Sequence, residues 1–149
     1  MKKLTSTIAV FLISAGMAVA QNNGAATTQA GTGNESIVSQ TGSGNSSVSD
    51  QDGTDNNVIM NQAGENNLVF IHQMLSMRRD SFQTTKLIQS GSNNILFISQ
   101  SELNLASYSQ QGTGNALFYH QEADSSKDQS SEINIKQKGN GNRVTVIQN

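Results

Sequence analysis

The sequence predicts an all-β fold, a β-solenoid of five strand-turn-strand coils whose strands form two stacked sheets in a cross-β arrangement. Three observations support it. A Gln-x-Gly-x-x-Asn motif, followed after five residues by another Gln, recurs along the 149 residues, as from Gln40, Gln62, Gln89, Gln110 and Gln137. A fixed short period marks a stacked, quasi-one-dimensional structure. Within each segment the charges fall on one parity and the amide, small or apolar side chains on the other, as in strands with one enclosed face. There is no proline in the chain, and proline is excluded from uninterrupted strand ladders.

Residues 1–20 read as a secretory signal peptide, with a basic start at Lys2 and Lys3, an apolar run, and Ala18, Val19 and Ala20 forming a cleavage site before Gln21. The apolar run is too short to favour a membrane span. Without Lys2 and Lys3, seven basic residues face eleven acidic ones, a net charge of −4. A mildly acidic chain with no basic patch argues against nucleic-acid binding. The chain has no cysteine, so an exported protein of this kind must be held together by something other than disulfides. Apolar residues make up 34% of the chain and aromatic ones 5%, too little for an ordinary globular core. Either the chain is disordered or its interior is partly polar.

Residues 21–33 form a short polar segment, in which Asn23, Ala25, Thr27 and Gln29 look like an orphan half-repeat. The repeats occupy 34–149. Segment starts fall at 34, 45, 56, 67, 83, 94, 104, 115, 131 and 142, and every irregular step follows an even-numbered segment. Pairing the segments as 34–51, 56–73, 83–100, 104–121 and 131–148 keeps each within-unit step at eleven residues. The insertions then lie between units, where a loop bulges outward at little entropic cost. In the fourth unit two registers are open, one starting at Asn104 and one that places Leu103 and Leu105 inside.

Asn and the next Gln are six residues apart, an even number, so both point to the same face of a strand. That face is expected to hold Asn34, Gln40, Asn45, Gln51, Asn56, Gln62, Asn67, Gln73, Gln83, Gln89, Asn94, Gln100, Asn104, Gln110, Asn115, Gln121, Ser131, Gln137, Asn142 and Gln148. Between them lie small or apolar residues and no charge, so this is the inner face. Stacked at about 4.8 Å, each amide lies above the next, and a primary amide can donate and accept along such a column. Gly42, Gly64, Gly91, Gly112 and Gly139 follow a Gln at the turns, where a positive φ or tight bend suits glycine. Nothing in the sequence reads as a capping repeat after the fifth unit. An open stack of this kind adds further copies head to tail.

The last unit, from Ser131 through Gln137 and Asn142 to Gln148, resembles the curlin repeat, Ser-x5-Gln-x4-Asn-x5-Gln. The resemblance covers all five units together with the signal peptide. Curlins are exported subunits of curli, the amyloid fibres of bacterial surfaces. Membership implies an amyloid-competent subunit whose partners are itself and the other curlin subunit, in homo- and hetero-polymers. It also implies export through an outer-membrane curli secretion apparatus, an extracellular location on the cell surface, and roles in adhesion and biofilm matrix. Asn replaces Ser at most first-strand starts, Gln83 stands there once, and two five-residue insertions interrupt the array. The short segment before the repeats and the basic last unit, with Lys136, Lys138 and Arg143 against Glu132, lean toward the minor, nucleating kind. The major kind stays open.

No cofactor, metal, small-molecule substrate or enzymatic activity is expected. His72 and His120 lie on the outer parity with one unit between them, and a metal site needs more ligands. No Gly-x-Ser-x-Gly elbow appears. Outward Phe70, Phe97 and Phe118 occupy one position in three second strands, an apolar stripe. The stretch 74–80 is the least repeat-like, a loop or a partner-binding bulge. The competing function is a monomeric β-solenoid that binds a surface or ligand, which would need capped ends and a regular outer row.

Overall fold

The computed structural model describes residues 22–74, 83–101, 104–122 and 131–148. Residues 1–21, most of the stretch 74–80 and its continuation to 82, and residues 102–103, 123–130 and 149 lie outside them, as do the side chains of Asn104 and Ser131. Eleven strands are described: β1 (Gly24–Thr32), β2 (Glu35–Ser43), β3 (Ser46–Thr54), β4 (Asn56–Glu65), β5 (Leu68–Met74), β6 (Gln83–Ser92), β7 (Ile95–Ser101), β8 (Asn104–Thr113), β9 (Ala116–Gln121), β10 (Ser131–Lys138) and β11 (Arg143–Gln148).

The chain is all-β and winds alternately through two open, fully parallel sheets. One has six strands in the order β1-β3-β5-β7-β9-β11, and the other has five in the order β10-β8-β6-β4-β2. Each strand therefore pairs with the strand one coil away, not with its neighbour in sequence. The orphan half-repeat is β1, laid on β3. Register follows the motif. Gln40, Gln62, Gln89, Gln110 and Gln137 line up across one sheet. Gln29, Gln51, Gln73, Gln100, Gln121 and Gln148 line up across the other.

The inner parity faces the space between the sheets. Val58, Met60, Val69, Ile71, Leu87, Leu96, Ile98, Ala106, Tyr108, Leu117 and Tyr119 form one enclosed core, each 0–1% exposed. Amides flank it on both sides. Val38 at one end, and Ile133, Ile135, Val144 and Val146 at the other, pack on this core only partly buried, because no further coil covers them among the described residues. In the fourth unit the chain takes the Asn104 register, with Tyr108 and Gln110 inside and Leu105 turned out. The alternative would have left two large aliphatic side chains inside but no Gln in the column.

The turns carry two left-handed residues, not one. The expected glycines, Gly42, Gly64, Gly91, Gly112 and Gly139, all have positive φ. So does the residue immediately before each second-strand Asn: Gly44, Asn66, Asn93, Gly114 and Gly141. Asn tolerates this region better than other side-chain-bearing residues. The pattern was readable, since that position holds only Gly or Asn in the five units.

Candidate functional site

The inner amides form four columns, and they are not equivalent. The Gln column of the five-stranded sheet is unbroken. Gln40 donates from Nε2 to Oε1 of Gln62 at 2.7 Å, Gln62 to Gln89 at 3.0 Å, Gln89 to Gln110 at 2.8 Å, and Gln110 to Gln137 at 2.7 Å. The second N–H of each amide crosses the coil to a backbone carbonyl, as Gln89 does to Leu68 at 3.2 Å and Gln110 to Ile95 at 3.0 Å. Each Gln thus reaches back to the coil before it while bonding to the next. Gln62, Gln89 and Gln110 are buried and satisfied, the condition under which a polar interior is tolerated.

The Asn column of the six-stranded sheet is also unbroken. Asn67 donates from Nδ2 to Oδ1 of Asn45 at 3.0 Å, Asn94 to Asn67 at 3.0 Å, Asn115 to Asn94 at 3.1 Å, and Asn142 to Asn115 at 3.0 Å. The backbone N–H of each later Asn donates to the same oxygen. Nδ2 also reaches the turn-glycine carbonyl of the following coil, as from Asn94 to Gly112 at 2.9 Å. That approach explains the turn glycines. A Cβ on Gly42, Gly64, Gly91 or Gly112 would sit inside the carbonyl oxygen of the glycine stacked on it, whereas one on Gly139 would meet only Asn142 Nδ2 at 3.3 Å.

The other two columns depart from the expected direct ladder. Gln29 donates to Gln51 at 2.8 Å and Gln51 to Gln73 at 3.2 Å. From there hydroxyls intervene, those of Thr85 and Tyr108 from the facing sheet and that of Tyr119 from the same sheet. Gln73 donates to Thr85 at 2.9 Å, and Thr85 donates to Gln100 at 2.7 Å. Gln100 donates to the Tyr108 hydroxyl at 3.2 Å, and Tyr119 donates to Gln121 at 2.9 Å and lies 3.3 Å from Gln148 Oε1. The side chains that fill the core here end in hydroxyls, and these lie between successive Gln amides.

The first-strand Asn column breaks where Gln83 takes the Asn place. Asn34 Oδ1 accepts from the Asn56 backbone at 3.0 Å. Asn56 Oδ1 and Gln83 Oε1 are then buried without partners. Gln is one methylene longer, and its amide turns away to the Met74 carbonyl at 3.2 Å. Restoring the motif with Gln83→Asn is expected to raise stability by about 1 kcal/mol, read as a higher unfolding temperature.

Burial holds the Tyr108 hydroxyl neutral far above the usual tyrosine range, and the neighbouring Tyr119 adds to the shift. Tyr119 is pushed up to about 12, also by burial. In the unfolded chain both ionise near pH 10. Stability is therefore full below about pH 10 and falls as pH rises toward the folded values, because the unfolded chain gives up protons that the folded chain keeps. Circular dichroism through an alkaline titration is expected to show loss of the fold together with the appearance of tyrosinate absorbance.

On the outer face Phe70 and Phe97 stack at 4.9 Å, Phe97 and Phe118 lie 6.5 Å apart, and the Arg143 guanidinium sits 5.4 Å from the Phe118 ring. His72 pairs with Asp50 at 3.2 Å, and His120 lies 3.5 Å from Glu122. Comparison with protein-family models, with curated proteins and with solved structures finds no match.

The two unbroken columns run in opposite senses, so the ends of the stack differ. At the C-terminal end Gln137 has an N–H that no further Gln accepts, and Asn142 Oδ1 has no donor among the described residues. At the N-terminal end the Oε1 of Gln40 accepts from none of the described residues, its amide only donating. What one end offers, the other takes.

Proposed function

We propose that this chain is a secreted structural subunit that adds head to tail to other copies, building an extracellular curli-like amyloid fibre for adhesion and biofilm matrix. The reading that it is a curlin, with the other curlin subunit and an outer-membrane secretion apparatus as partners, rests on the repeat resemblance and the signal peptide. One structural observation supports self-addition above all others. The outer edges of β10 and β11 carry half-buried Ile133, Ile135, Val144 and Val146 beside unfinished amide columns. Edge strands that expose unpaired backbone over an apolar face are templates for another chain.

Diluting the mature chain from denaturant is expected to give a lag followed by thioflavin-positive fibres, with the lag removed by seeds. Their diffraction should show a meridional reflection near 4.8 Å. A folded monomer that persists unseeded and seeded would favour the monomeric surface-binding solenoid instead.

A further inference from the structure

Among the described residues the strands number six in one sheet and five in the other, which sets a geometric problem for head-to-tail joining. If every strand of one copy were followed directly by the first strand of the next, the repeat distance would be six strand spacings in one sheet and five in the other. These differ by about 4.8 Å, one strand spacing. A rigid stack has a single repeat, so the two sheets cannot both close with β1 in place. The supernumerary strand is β1.

Building on the head-to-tail reading, we propose that β1 is a displaceable cap. The surface that receives a second copy is then the β3 edge beneath β1, together with the β2 edge. With β1 gone, both sheets advance by five strands.

The details of β1 suit that role. Its inner positions are Asn23, Ala25, Thr27 and Gln29, set against Ser47, Ser49 and Gln51 of β3. At the far end of the molecule β11 carries Asn142, Val144, Val146 and Gln148 in the same phase. So β1 presents the polar pins of an incoming β11 with its aliphatic residues cut down. Asn45 now donates its backbone N–H to Asn23 Oδ1 at 2.9 Å, where each later Asn donates to the Asn one coil before it. Gln29 donates to Gln51 at 2.8 Å, as Gln148 of another copy would.

Exchange therefore swaps like hydrogen bonds for like and adds burial of Val144 and Val146, while Ala25 and Thr27 give up little apolar area. On the second sheet Gln137 would meet Gln40, Ile135 would meet Val38, and Gly139 would meet Gly42. The one unfavourable match is Glu35 beside Glu132, like charges side by side.

The test uses the absence of cysteine. Ala26 and Val48 are register partners on the outer face of β1 and β3, at a spacing a disulfide can bridge. The full mature chain carrying Ala26→Cys and Val48→Cys, oxidised, is expected to lose elongation on fibre seeds, and reductant should restore it. Equal growth of the oxidised and reduced forms would overturn the cap and leave self-assembly standing. If the unmodified and reduced chains also fail to grow, the functional reading falls and the cap with it.

A second measurement needs no variant. Mass per length of unmodified fibres should correspond to one chain per five strand spacings, about 24 Å. One chain per six spacings would overturn the proposal, since β1 would then sit in the fibre opposite a missing strand.

Discussion

Replacing Gln89 by Glu is expected to abolish both the folded stack and fibre growth at neutral pH. Gln89 is fully buried, accepts from Gln62 and donates to Gln110 and the Leu68 carbonyl. A carboxylate there offers no donor, so two acceptors would face a buried negative charge. Breaking a buried polar network in this way costs on the order of 3–5 kcal/mol, a large share of the stability of any domain of this size. The substitution also predicts its own rescue. Burial favours the neutral acid and raises the pKa of the new Glu. The fold is therefore recovered in part as pH falls below about 4, where the unfolded side chain is protonated too and the neutral acid offers one donor in place of the two of Gln89. Gln89→Leu leaves all three partners unpaired, at about 1–3 kcal/mol each, and is expected to lose the fold too, with no recovery in acid. Circular dichroism and seeded thioflavin kinetics at neutral and acid pH separate the three chains.

Gly64→Ala and Gly139→Ala should fail in different ways, although both residues occupy the same place in their coils. At Gly64 a Cβ enters the Gly91 carbonyl and φ is +114°, so backbone has to move and the column of turns opens. A loss of about 4 kcal/mol or more is expected, in the range reserved for severe substitutions. At Gly139 φ is +111°, but the only neighbour is Asn142 Nδ2 at 3.3 Å. Strain of about 1–3 kcal/mol remains, and the monomer stays folded. What it loses is growth at that end, because the incoming turn meets the new methyl group. Gly141→Ala is the control. It is strained at φ +68° yet has nothing within 4 Å, as at Gly114, over which Gly141 already stacks. Gly141→Ala should therefore slow growth far less than Gly139→Ala.

The sequence made the inner face legible because it is over-determined. Asn and Gln six apart fix the parity, and the segments share one phase, so only the first strand of the fourth unit had a second register open to it. Strand pairing followed from where the irregular steps fall. The interrupted columns were less legible. The motif says that Gln73 and Gln100 share a column, but not that Thr85 and Tyr108, filling the facing strands, are long enough to insert hydroxyls between the coils. Those contacts depend on the depth of the gap between sheets, which no one-dimensional pattern encodes. Gln83 shows the same limit. Parity placed it inside, and only geometry shows that one methylene too many strands its oxygen and that of Asn56. The half-repeat was legible as a strand. That it leaves the two sheets unequal is a property of the wound chain.

Every strand described pairs only with strands one coil away, so among the described residues no strand pairing ties the first coils directly to the last. Stability in such an array is a sum of local terms. Heat should therefore fray the molecule from its extremities inward. Amide protons on β4 to β7 should be the last to exchange with solvent, and those of β1 among the first.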